Sequence, residues 1–186
     1  MQSTIACIGV SQLILSFDLF ENGNTFLHLS AMGNKLSFIR VLVENNAQIN
    51  ALNSDGKTAL IMAAEKGYSN SVKYLIKGSP NLNIKDKSGD SALFKCIKAR
   101  GSGAYYSAKY LVDAGADMNH KNGSGSPLLH EAAAGNKFTI VSLFLKKGAD
   151  PNILNKKKET LIMVLSKTPY RGSKDRSKST QAAKLI

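Results

Sequence analysis

Cysteine, histidine and long apolar runs are all scarce in this chain of 186 residues. Two cysteines, Cys7 and Cys96, are too few for a disulfide framework, so we expect a cytoplasmic or other reducing compartment. The three histidines and two cysteines form no cluster with zinc-ligand spacing. The most apolar stretch, residues 5–15, is too short and interrupted to span a membrane. No Lys or Arg precedes it, which argues against a signal peptide.

Patterns typical of catalysis are absent as well. No helix face carries paired carboxylates, and no arrangement of Ser, Cys and His indicates an activated nucleophile. The glycines match neither a Walker motif nor a dinucleotide-binding fingerprint. The sequence therefore predicts a chain that is not an enzyme, with no catalytic residue, no metal site and no cofactor.

Acidic residues are much fewer than basic residues. Residues 1–93 hold 8 Lys and Arg against 7 Asp and Glu, whereas residues 94–186 hold 17 against 6, and the net charge is +12. This asymmetry predicts an acidic partner or surface. Aromatic side chains that could stack on bases are few in the basic half, which disfavours recognition of single-stranded nucleic acid.

A unit of about 33 residues recurs along the chain. Its landmark glycine appears as Gly23, Gly56, Gly89 and Gly125, at intervals of 33, 33 and 36 residues. A fixed period in this range indicates stacked repeats, each too small to bury its own apolar face. A landmark asparagine follows the same period, at Asn50, Asn83, Asn119 and Asn152.

The units share three short motifs. The first is a helix start, Thr-Phe-Leu-His at 25–28 and Pro-Leu-Leu-His at 127–130; the second is an Ala-Ala pair at 63–64 and 132–133; the third is Gly-Ala-Asp-x-Asn at 148–152. In these motifs the chain resembles the ankyrin-repeat family. The resemblance implies an all-α solenoid of stacked helix-turn-helix repeats with β-hairpin loops. It also implies binding to other proteins and no catalysis.

The period divides the chain into a cap and a repeat domain. We predict an N-terminal helical cap at residues 1–20 and an ankyrin-repeat domain at 21–186. The repeats fall at about 21–53, 54–86, 87–122 and 123–155, followed by an atypical fifth at 156–186. Repeat 3 carries three extra residues, which its glycines place in the turn between its helices. The last helix lacks the polar outer face of a terminal repeat, so we expect a longer protein or a partner at this end, and the oligomeric state stays open.

Several polar residues are expected to be structural. The resemblance gives His28 and His130, at the same repeat position, a structural role, and we expect His120 in its hairpin to be solvated. Asx side chains shape the hairpins, and hydroxyl side chains cap the following helices. The Asx residues are Asn53, Asp86, Asn122 and Asn155, and the expected caps are Thr25, Thr58, Ser91 and Thr160.

The resemblance also implies a binding surface, a concave groove lined by the hairpin tips and the outer side of each first helix. This groove turns basic at repeat 5, so we expect an acidic segment of a protein partner against Lys156, Lys157 and Lys158. Arg100 and Tyr105 are added because Arg and Tyr are enriched at interface hot spots. The predicted partner-binding residues are Asn24, Met32, Asp55, Lys57, Glu65, Lys66, Lys87, Asp90, Lys98, Arg100, Tyr105, Lys156, Lys157, Lys158 and Lys167.

Three functions are compatible with the sequence. The favoured one is a protein-interaction module, alone or within a larger scaffold, signalling protein or secreted bacterial effector delivered into a host cell. The second is binding of nucleic acid or an anionic membrane by the basic half, which would depend steeply on salt. The third is substrate recognition for an enzyme whose catalytic domain lies beyond residue 186.

Overall fold

A computed structural model of the chain describes residues 20–168, 180 and 183–186. Residues 20–168 contain nine α-helices, which occur in pairs separated by hairpins. The helices are α1 Phe26–Met32, α2 Leu36–Glu44, α3 Ala59–Lys66, α4 Ser69–Lys77, α5 Ala92–Lys98, α6 Gly103–Asp113, α7 Leu128–Ala134, α8 Phe138–Lys146 and α9 Leu161–Lys167.

The helices form two layers. The first helices of the repeats, α1, α3, α5, α7 and α9, each contact the next in that order, and the second helices, α2, α4, α6 and α8, do the same. The two helices of each of the first four repeats also contact each other. The predicted all-α repeat solenoid is therefore confirmed.

Small and large apolar side chains share the core between these layers. Ala63, Ala64, Ala132 and Ala133 are fully buried, and their small size lets neighbouring first helices approach closely. Aromatic rings such as Phe144 fill the space between the layers and are equally buried. One continuous core thus runs through the repeats, because each repeat covers the apolar face of its neighbour.

Asx side chains organise the hairpins, as the sequence predicts. Asn53 Oδ1 accepts hydrogen bonds from the backbone amides of Asp55 at 3.0 Å and Lys57 at 2.9 Å. Equivalent bonds form at Asp86, Asn122 and Asn155. Because these amides are already satisfied by side chains, the hairpins of the described residues carry isolated β-bridges rather than strands of a sheet.

The landmark asparagines join successive repeats. The Asn50 side-chain oxygen accepts from the Asn81 amide at 2.9 Å, and Asn83 accepts from the Asp117 amide at 3.0 Å. A third bond links Asn119 to the next repeat in the same way. These bonds explain why the asparagine recurs with the period of the repeat.

The helix starts agree only in part with the capping prediction. Thr25 and Thr58 accept hydrogen bonds from the amides of His28 and Ile61, as N-cap residues do. Ser91 and Thr160 make no side-chain capping bond, so the prediction is wrong at these two positions.

The turn between α5 and α6 accommodates the extra residues of repeat 3. It packs against the preceding repeat so closely that a Cβ atom on Gly103 would lie 2.0 Å from the Gly67 carbonyl oxygen. Glycine is therefore required at position 103 by the close approach of the two backbones.

The predicted cap, apart from Phe20, and most of the second half of repeat 5 lie outside the described residues. The repeat boundaries accordingly stay a prediction. No helix within the described ranges is long and apolar enough to cross a membrane.

Candidate functional site

The candidate site lies on the surface between the hairpin turns and the exposed sides of the first helices, which we call the groove face. In three repeats an ion pair crosses this face. It joins the residue that follows the landmark glycine position to the residue eight positions later. We call each such pair a rung. The rungs are Lys57 with Glu65 at 2.8 Å, Asp90 with Lys98 at 2.7 Å, and Glu159 with Lys167 at 2.5 Å.

Repeat 4 has no rung. The equivalent positions hold Ser126 and Ala134, whose side chains are too short to meet. Their small size opens a cavity of about 490 Å³ between the hairpins and helices of repeats 4 and 5, which we call the groove cavity. Its walls include Glu131 and Val164, and Lys156 lies at its edge.

Two exposed lysines without an ion pair in the described ranges line the groove cavity. Lys156 and Lys157 both line it and are exposed, and within the described part of the chain neither forms a salt bridge. The Lys156 stem lies over Gly125, where an added Cβ would come within 2.5 Å of its Cε. Lys158 is also exposed but lies outside the cavity lining, and it adopts a φ of 57° at the position where other repeats have glycine.

Repeat 3 contains a buried charge cluster in the equivalent place. Lys95 Nζ lies 2.7 Å from Asp86 and 3.1 Å from Asp90, and its side chain is 9% exposed. Burial by itself would raise the pKa of both carboxyls, but hydrogen bonds from lysine side chains outweigh it and lower the pKa of Asp86 and Asp90. The same bonds raise the pKa of Lys95 against the opposing effect of burial.

The two equivalent histidines have different surroundings. The ring of His28 donates from Nε2 to the Lys57 carbonyl at 2.9 Å, while Nδ1 accepts from the Thr25 amide at 3.1 Å. His130 donates from Nε2 to the Glu159 carbonyl at 2.9 Å, but its buried Nδ1 has no partner. Pro127 replaces the threonine there and has neither an amide hydrogen nor a hydroxyl. Burial lowers the pKa of both rings, and both fasten one repeat to the next, in keeping with the structural role expected of them.

His120 differs from its prediction. Its side chain is 11% exposed, its Nδ1 donates to the Asp117 carbonyl at 2.9 Å, and its ring packs edge-on against Phe94. The expectation that it is solvated is wrong, because the hairpin folds back on the first helix of repeat 3.

The predicted partner-binding residues fall into four groups. Asn24 and Asp90 are 8% and 2% exposed, so these two side chains support their hairpins and offer little contact area. Lys57, Glu65, Lys98 and Lys167 belong to rungs. The exposed residues of the groove face outside the rungs are Met32, Asp55, Lys66, Lys87, Lys156, Lys157 and Lys158.

Arg100 and Tyr105 form the fourth group, at the turn between α5 and α6. Tyr105 packs edge-on against Tyr106 with ring centroids 5.6 Å apart, and both line a separate cleft of about 460 Å³. That cleft shares no residue with the groove cavity. The structure therefore does not bring the inserted turn together with the basic hairpin of repeat 5.

The sequence places the small Ser126 and Ala134 at groove positions, but the predicted partner-binding residues include none from repeat 4, and Glu131 and Val164 were not foreseen. The absence of the rung in repeat 4 could have been read from the sequence, because complementary charges recur eight residues apart in repeats 2, 3 and 5 but not there.

Cys96 is fully buried, and burial raises the pKa of its thiol, so it behaves as a small core residue. Across residues 20–168, 180 and 183–186, no cluster of three or more His, Cys, Asp or Glu side chains could hold a metal ion.

Stacked helix pairs, Asx-shaped hairpins and repeat-linking asparagines define a helical repeat protein. A family model described as ankyrin repeats (3 copies) matches residues 5–86, 27–122 and 70–155. The chain therefore belongs to the ankyrin-repeat family. Repeats of this family are protein–protein interaction modules.

The chain is also similar to part of a curated protein. Over 72 residues the chain is 32% identical to the E3 ubiquitin-protein ligase KEG of Arabidopsis thaliana. The similarity covers 39% of this chain and 4% of that ligase, so the chain matches only a small part of that protein.

Proposed function

We propose that the groove face binds an acidic segment of another protein, with its acidic side chains against Lys156 and Lys157. The observation that carries the proposal is the position of these two exposed lysines: both line the groove cavity, and neither has an ion pair in the described ranges. In contrast, Lys57 of repeat 2 and Lys98 of repeat 3 are already paired with carboxylates in rungs.

The energetics assign these lysines a specific part in binding. An exposed ion pair contributes roughly 0.2–1 kcal/mol, so two lysines alone give little affinity. Their charge chiefly increases the association rate and fixes the orientation of the partner. The remaining affinity must come from side chains buried in the groove.

The test compares two charge reversals of equal size. One variant carries Lys156→Glu and Lys157→Glu; the control carries Lys146→Glu and Lys184→Glu, two exposed lysines that do not line the groove cavity. The ligands are short synthetic peptides rich in Asp and Glu, and binding is followed by fluorescence anisotropy at low and moderate salt. We expect the first variant to weaken binding by about tenfold and the control by much less.

Equal weakening by both variants would contradict the proposal, because it would indicate attraction to net charge alone. Duplex DNA and phosphatidylserine vesicles are titrated alongside. Tighter binding to either, falling steeply with salt, would favour the polyanion function instead.

A second candidate is substrate recognition for an enzyme encoded in the same polypeptide. It is favoured by the likeness to an E3 ubiquitin-protein ligase, of which the matched repeats are a small part. The sequence of the complete gene is the test: a catalytic domain in the same reading frame supports this role. A gene encoding further interaction domains instead would favour a scaffold or signalling protein, and a bacterial gene with a secretion signal would favour an effector.

A further inference from the structure

We infer that the groove cavity of repeat 4 receives one bulky, uncharged side chain from the partner. This inference rests on the proposed function and adds the chemistry of a second contact, next to the acidic residues that meet Lys156 and Lys157.

The inference rests on the positions of the rungs in the repeats that flank repeat 4. Rungs in repeats 3 and 5 lie on either side of repeat 4, and both place an acid on the hairpin and a lysine on the helix. Ser126 and Ala134 occupy those two positions in repeat 4 with the same backbone spacing. The missing pair is therefore a local opening in the row of rungs that runs from repeat 2 to repeat 5.

The walls of this opening favour a side chain without charge. Ala134 and Val164 present apolar atoms, and Ser126 contributes a hydroxyl group. A cationic side chain could approach Glu131, but Lys156, Lys157 and Lys167 line the same cavity and would repel it. An anionic side chain inside the cavity would meet Glu131 and Glu159 as well as these lysines, so we expect a carboxylate to stay at the exposed Lys156 and Lys157, where water still solvates it.

A large aromatic or aliphatic side chain satisfies these conditions. Burial of such a side chain removes apolar surface from water, which typically contributes more to affinity than an exposed ion pair does. Central, buried anchors of this kind dominate most protein interfaces, while surrounding charges set specificity. The cavity thus supplies the affinity that the lysines lack.

The experiment restores the missing rung. The variant Ser126→Asp with Ala134→Lys copies the Asp90–Lys98 pair, leaves the net charge unchanged and fills the cavity with an ion pair. The ligands are acidic peptides that differ only at one central position, which carries Ala, Ser, Lys, Glu, Leu, Tyr, Phe or Trp. For the wild-type protein we expect the Leu and aromatic peptides to bind about tenfold to a hundredfold more tightly than the Ala peptide.

The restored rung should abolish this preference while leaving the dependence on acidic residues intact. The matched control is Lys57→Ser with Glu65→Ala, which removes a rung from repeat 2 without changing net charge and should leave the preference as in wild type. Thermal unfolding verifies that each variant is folded. If the double variant in repeat 4 is unfolded, Ala134→Gln at the exposed end of α7 takes its place.

Two results would overturn the inference: no preference for bulky residues in the wild type, or a preference that persists after the rung is restored. Both leave the proposed function standing if Lys156→Glu with Lys157→Glu still weakens binding. If that charge reversal has no effect, the proposed function itself fails.

Discussion

Repeats 3 and 4 share the same backbone design but carry different side chains on the groove face. Repeat 3 fills the space between hairpin and first helix with Asp86, Asp90, Lys95 and Lys98, which are joined by ion pairs. Repeat 4 has asparagine, serine, glutamate and alanine at the matching positions, and a cavity results. Repeat 3 fills this space with paired charges, whereas repeat 4 leaves it open.

The difference shows that backbone geometry and surface chemistry vary independently in this solenoid. In both repeats the side-chain oxygen of the Asx residue, Asp86 or Asn122, accepts hydrogen bonds from backbone amides of the hairpin. The substitutions that open the cavity therefore leave the hairpin intact. This independence allows a single repeat to acquire a binding site without loss of the fold.

The largest expected effect concerns Lys95. Its replacement by Ala leaves the buried Asp86 without a counter-ion and Asp90 with Lys98 alone, so we expect a loss of roughly 3 kcal/mol in the free energy of unfolding. Urea denaturation measures this value.

The control for Lys95 is Lys98→Ala, because the Lys98 side chain is 50% exposed and its loss should cost less than about 1 kcal/mol. A triple variant with Asp86→Asn, Asp90→Ser and Lys95→Glu copies three of the four repeat 4 residues, and it should be more stable than Lys95→Ala. A triple variant that is the less stable of the two would contradict the view that the two repeats share one backbone design.

A smaller effect concerns the start of α7. Pro127→Thr supplies the hydroxyl and amide that meet the equivalent histidine in repeat 1, so we expect a gain of about 1 kcal/mol in the free energy of unfolding. The reverse change, Thr25→Ala, should cost about 1 kcal/mol by removing the cap from α1. Urea denaturation of both variants measures the two effects, and a Pro127→Thr variant less stable than wild type would show that proline itself is required there.

The smallest expected effect is a difference between repeats 3 and 4 in the pH at which their titrating side chains lose their contribution to stability. Burial holds the pKa of His130 below its ordinary value of 6.5, so its neutral form stabilises the fold above that pH, and this contribution is lost as the pH falls below 6.5. The pKa of Asp86 and Asp90 is held below 3.8, so their contribution is lost only at pH values below about 4.

His130→Gln, which can still donate to the Glu159 carbonyl, should therefore reduce the loss of stability between pH 7 and pH 5. The repeat 3 triple variant should leave the loss in that range unchanged. Thermal unfolding as a function of pH distinguishes the two, and an unchanged slope in His130→Gln would show that His130 is not the titrating group.

Much of the fold could be predicted because its signals are local. Glycine, asparagine and Asx residues recur at a fixed period, since each performs the same backbone task in every repeat. The solvation of His120 was predicted wrongly because its ring packs against Phe94, a contact between elements that the sequence alone does not reveal. The capping prediction failed at Ser91 and Thr160, and nothing in the structure explains this.

By itself the sequence determined the repeat architecture, the hairpin chemistry and the excess of positive charge in the second half. The tertiary structure decided which charges are available to a partner. Residues eight positions apart become neighbours only when the hairpin folds over its helix, and in three repeats this proximity pairs lysine with a carboxylate. The same folding left the groove cavity in repeat 4, because the short side chains of Ser126 and Ala134 face each other where repeats 2, 3 and 5 have charged pairs.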